Sequence, residues 1–97
     1  MVGKVTGTAL GGVVLEVEGV GIQGFGARGA TRAYSAAVPS RTNVHRVVLV
    51  SPTAGKLEFE IMVEDLAMES PVVTVIEATD GGNTLVPPSR ATVSIER

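Results

Sequence analysis

The sequence predicts an all-β fold: one antiparallel β-sandwich of about seven strands spanning residues 1–97. Three observations carry this. The stretch KLEFEIMVE (56–64) alternates almost without fault, with Leu57, Phe59, Ile61 and Val63 on one side and Lys56, Glu58, Glu60 and Glu64 on the other. Side chains on a strand alternate faces with period two, so this is a strand with one dry and one wet face. Such strands belong to antiparallel sheets, not to doubly buried parallel ones. Second, the apolar residues that make up 44% of the chain are largely Val, Ile, Leu and Ala, and only Phe25, Phe59 and Tyr34 are aromatic. A β-branched interior of this kind suits strands. Third, twelve glycines and five prolines punctuate the chain at short intervals, as turns require.

The elements follow in order. Val2 to Thr8 reads as a short strand, with Gly11-Gly12 as its turn. Val13 to Val20 comes next, with Val13, Leu15 and Val17 on one face and Glu16 and Glu18 on the other. Five glycines crowd into residues 19–29 around Ile22 and Phe25, which reads as a loop or a bulged strand. ATRAYSAAV (30–38) reads either as a short helix ended by Pro39 or as a strand with Tyr34 inward. Val44 to Val50 is a strand stopped by Ser51-Pro52, and Pro52 to Gly55 is the turn into the alternating strand. Glu64 to Ser70 is a polar connection with room for one helical turn. Val72 to Thr79 is a strand, Asp80-Gly81-Gly82-Asn83 a turn, and Leu85-Val86 the return. Pro87-Pro88 interrupts pairing and belongs at an edge or a bulge. Ala91 to Glu96 closes the chain, with Ala91, Val93 and Ile95 inward. Short strands with turns every eight to twelve residues are the signature of an immunoglobulin-like sandwich.

Composition removes several function classes. No cysteine is present, which excludes disulfide frameworks, zinc–thiolate sites and cysteine nucleophiles. No stretch approaches the roughly 20 apolar residues of a membrane helix. The N-terminus lacks the apolar run of a signal peptide. A cell-surface or extracellular place is expected if the chain is an excised domain, and a cytoplasmic one otherwise. The net charge of −2 argues against a nucleic-acid partner.

Charge is segregated along the chain. Between Gly19 and Leu57 stand Arg28, Arg32, Arg41, Arg46 and Lys56 with no acidic residue; from Glu58 to Asp80 stand only acidic ones. Either neighbouring strands pair these charges across a sheet, or two oppositely charged faces steer a partner or a second copy of the chain.

Catalytic motifs fail on inspection. Gly24-Phe25-Gly26-Ala27-Arg28-Gly29 matches the dinucleotide-binding glycine string, but the acidic residue expected about 20 positions later is missing. His45 is the only histidine and reads as a strand residue. No G-x-S-x-G elbow supports a serine nucleophile. Glu58 and Glu60 share a strand face, the pairing glycosidases use, yet no tryptophan is available as a sugar platform. Glu77, Asp80 and Asn83 are calcium candidates by their oxygens, although calcium takes six to eight and a plain hairpin turn accounts for them. No cofactor is implied, and the expected activity is non-catalytic.

Three stretches together are similar to bacterial cohesin-like modules: VVLEVEGVGIQGFGARGA (13–30), RVVLVSPTAGKLEFEIMVED (46–65) and VVTVIEATDGGNTLVPPSRATVSIE (72–96). The resemblance rests on the Gly-Phe segment Ile22-Gln23-Gly24-Phe25, the glycine turn into the strand at 55–63, and the Asp-Gly-x-Asn hairpin that closes into the last strand. The chain departs from that family between 30 and 45, where the usual Tyr-Asp-Pro segment is missing. The resemblance implies an immunoglobulin-like jelly-roll sandwich and a protein-binding or surface-scaffold role. The expected contact surface is a sheet face around Arg28, Arg32, Tyr34, Arg41 and Arg46, since Tyr and Arg dominate interface hot spots. Its partner would be another, acidic protein or a second copy through the Glu58–Glu64 face. Two other readings stay open: a carbohydrate-binding module, and a small enzyme subunit holding an anion at the glycine cluster 19–29.

Overall fold

Alternating apolar side chains need a second layer to cover their dry face, and in the computed structural model that layer is another sheet. The structure describes residues 1–7, 9–52, 56–65, 67 and 69–96. Among these are nine strands: β1 (Val2–Thr6), β2 (Leu10–Glu18), β3 (Ile22–Ala27), β4 (Arg32–Ala37), β5 (Val44–Val50), β6 (Leu57–Val63), β7 (Val72–Asp80), β8 (Leu85–Val86) and β9 (Thr92–Glu96). They form a four-stranded sheet, β3-β6-β1-β9, and a five-stranded sheet, β4-β5-β2-β7-β8. Every pairing is antiparallel.

The core lies between the sheets. Val5, Leu57, Phe59 and Ile61 reach in from one side, and Leu15, Val17, Val47 and Leu49 from the other. β6 shows why: Leu57, Phe59 and Ile61 are buried while Glu60 and Met62 are exposed, as the alternation requires. Val93 and Ile95 of β9 pack on the edge of this core.

Four expectations change. The strands number nine because the glycine-rich segment and the 30–38 stretch, both left open by the sequence, form β3 and β4, and the short β8 pairs with β7. Gly11 and Gly12 are no turn; they lie inside β2. Gly11 is the extra residue of a bulge against β7, pressed onto the Asp80 carbonyl so closely that a β-carbon would collide with it. The helix alternative for 30–38 fails: 32–37 is β4, held by six register pairs to β5. Tyr34 points outward, 59% exposed. The expected turn at 52–55 and helical turn at 64–70 fall partly on 53–55, 66 and 68, outside the described residues.

The only helical segment among the described residues is a 3-10 turn at Pro88–Arg90, where Pro87 and Pro88 end the ladder of β8. No described helix is long and apolar enough to cross a membrane.

Candidate functional site

Cross-strand partners share a sheet face, so the register fixes which side chains stand together. On β4 and β5, Ala33↔Leu49 and Ser35↔Val47 face the core, which turns Arg32↔Val50, Tyr34↔Val48 and Ala36↔Arg46 outward. On β2, Gly12, Val14 and Glu16 point the same way, opposite Val50, Val48 and Arg46. Arg41, in the β4–β5 connection, reaches onto this face through Glu16. The outer face of the five-stranded sheet therefore gathers Arg32, Tyr34, Arg41 and Arg46. Arg28 stands apart: it follows β3 and contacts Glu58 and Glu60 on the outside of the other sheet.

Most of these charges are already matched within the molecule. The Glu16 carboxylate accepts from Arg41 Nη1 at 2.7 Å and from Arg46 Nη2 at 3.0 Å, and Arg41 Nη2 lies 3.8 Å from Glu18. The hydrogen bonds from Arg46 and Arg41 hold the Glu16 carboxyl below its ordinary pKa. On the opposite sheet, Glu58 sits 2.8 Å from Lys56 Nζ, whose hydrogen bond likewise holds its pKa down. Arg28 Nη1 donates to Glu60 at 3.0 Å. The basic block is thus largely matched, but only Arg28 and Lys56 meet the acidic block, at Glu58 and Glu60, while Arg41 and Arg46 pair with Glu16 and Glu18 of β2. Among the described residues, Arg32 on β4 and Glu77 on β7 form no ion pair.

Between those two unpaired charges lies an apolar row that the sequence reading missed. Tyr34, Val48, Val14 and Glu77 occupy one cross-strand row over β4, β5, β2 and β7. Val50 and Ile76, beside it, are 42% and 41% exposed. Ile76 is the extra residue where the β2–β7 register shifts between Val14 and Leu15, so β7 offers Ile76 and Glu77 to solvent together. Gly12 has no side chain to fill its place, and a shallow depression of about 160 Å³ opens over Gly12, Val14, Val48 and Val50. The signal was present in the doubled valines 13–14 and 47–48. A strand wet on one face has no reason to carry valine on both.

The other candidates fall into place around this. The glycine string 24–29 lies within β3 and the turn after it, and a strand follows instead of a helix, so no helix N-terminus faces it. The hollow beside Gly21 is lined by Glu64, Asp65 and Glu69, a lining that repels anions. Asp80 Oδ1 accepts from the backbone N–H of Gly82 at 2.9 Å and of Thr84 at 3.0 Å, and Asn83 takes φ 61°; the loop closes on its own side chain. Glu77 points outward beside Val14. His45 faces inward next to Val17, its ring edge-on to Phe25 at 5.4 Å. Comparison of the chain with protein-family models, curated proteins and solved structures returns no match.

Proposed function

We propose that this chain is a non-catalytic protein-binding or surface-scaffold module of a bacterial protein, cohesin-like in character, which docks through the outer face of its five-stranded sheet. One observation carries the reading. An apolar row with an exposed tyrosine stands on a sheet face that solvent alone would favour as polar. Tyr34 supplies a large ring at small entropic cost. Arg32 stands beside it, and Arg41 and Arg46, held by Glu16, form a polar rim. Arg28 belongs to the opposite sheet and is no part of this surface. A carbohydrate platform is less well supported: Phe59 is buried and Phe25 half-buried, which leaves Tyr34 as the one exposed ring.

A photo-crosslinking phenylalanine analogue placed at Tyr34 in the native host tests the reading. Thr92, exposed on β9 of the other sheet, is the control position. Protein adducts at Tyr34 and none at Thr92 are expected. An empty lane at Tyr34 sinks the proposal.

A further inference from the structure

We infer that the occupant of this face is a second copy of the same chain, packed sheet to sheet about a two-fold axis that runs along the strands. The inference rests on the protein-binding reading and goes on to name the partner.

The charges decide it. With Glu16 spent on Arg41 and Arg46, the face presents, among the described residues, one cation without an ion pair, Arg32 on β4, and one such anion, Glu77 on β7, on opposite sides of Val48 and Val14. A strongly acidic partner would satisfy Arg32 and repel Glu77. The complementary surface is one with an anion and a cation in reversed positions, and a two-fold rotation of the face onto itself supplies that.

The geometry agrees. Counting strands in the order β4-β5-β2-β7, Arg32 and Glu77 lie equally far on either side of a line between β5 and β2, roughly 7 Å each at the usual strand spacing. Rotation about that line sets β4 of one copy over β7 of the other. Tyr34 then lies over the second copy's Glu77, which occupies the same row, and beside the adjacent Ile76, while Arg32, two residues along β4, comes within side-chain reach of that Glu77. Val48 and Val14 straddle the axis. An isologous interface makes each such contact twice, with an apolar centre and a charged rim. The bare Gly12 lets the two faces approach. The sandwich spans 36 by 28 Å across its broad dimensions. That outline bounds what one face can bury and leaves room for the roughly 800 Å² per partner of a stable interface.

The test is mass by light scattering over a dilution series, with circular dichroism to confirm folding. The wild-type chain is expected at twice its 9.9 kDa. Arg32→Glu and Glu77→Arg should each weaken the dimer by at least about tenfold, because each places like charges together twice. The double reversal Arg32→Glu/Glu77→Arg should restore it. Val48→Glu should give a folded monomer whatever the charges. A wild-type monomer throughout overturns the inference, as does a dimer indifferent to both single reversals or singles that the double fails to rescue. The crosslink at Tyr34 separates this from failure of the parent reading: an adduct with a different protein keeps the binding face and removes the second copy, and no adduct removes both.

Discussion

The ring of Phe59 lies on the bare Cα of Gly3, its cross-strand partner in β1. A β-carbon at Gly3 would fall 3.1 Å from Cδ1 of that ring and nearer still to Cε1 and Cζ. Phe59 is fully buried and reaches across to Phe25 at 6.5 Å, so it has no free side to move toward. Gly3→Ala should therefore destabilise the fold by about 1–3 kcal/mol, the usual cost of overpacking. Gly26→Ala is the control, since its β-carbon would meet only Glu60 at 3.9 Å. Equal melting temperatures for the two variants would show that the ring can give way.

His45 is a second test of packing. Its Nδ1 is buried and finds no hydrogen-bond partner among the described residues, while the ring packs against Phe25. A buried polar atom left unpaired costs about 1–3 kcal/mol. His45→Phe keeps the ring contact and removes the orphan nitrogen. It should raise stability by roughly 1 kcal/mol in chemical unfolding. A loss of stability would mean that the imidazole makes a compensating bond.

How far the sequence carries depends on where each element's identity comes from. β6 is legible because its own alternation writes the burial pattern, and β5 because its valine-rich run favours a strand. β4 is not: RAYSAA contains three alanines, indifferent between helix and strand, and only Ala33 packs on the core. Its strand form comes from pairing with β5, a tertiary fact. Gly11 and Gly12 carry turn chemistry, yet close approach of the Asp80 carbonyl explains Gly11 inside a strand. For the site, Arg32 and Tyr34 were readable as residue types. The matching of Arg41 and Arg46 by Glu16 was not, because it joins residues 25 and 30 positions apart. The doubled valines 13–14 and 47–48 put apolar residues on both faces of their strands, but their joining into one row needed the register that sets Val14 beside Val48.

The β7–β8 hairpin owes its closure to one carboxylate. Asp80 Oδ1 takes the N–H groups of Gly82 and Thr84, and the Asp80 N–H donates to the Thr84 carbonyl at 2.9 Å. Asp80→Ala should cost about 1 kcal/mol in thermal unfolding, and Asp80→Asn much less, because the amide oxygen still accepts. Asn83→Gly should be neutral or stabilising, since glycine takes the positive φ without strain. A calcium-dependent rise in melting temperature, abolished by Asp80→Ala, would instead assign the carboxylate to a cation.

Acid should loosen the five-stranded sheet at a definite place. Arg46 and Arg41 lower the Glu16 pKa from its ordinary 4.5. A carboxyl whose folded pKa is depressed stabilises fully above the unfolded value and loses that contribution as pH falls through the folded one. The stability gap between wild type and Glu16→Gln should thus be constant above pH 4.5, shrink below it and vanish in stronger acid. Because the two arginines are about half exposed, salt should narrow the gap at every pH. Glu58, held down chiefly by Lys56 on the other sheet, should behave in the same sense, and Glu16→Gln/Glu58→Gln should flatten the acid limb further than either change alone. A gap independent of pH would show that Glu16 acts through packing and not through its charge.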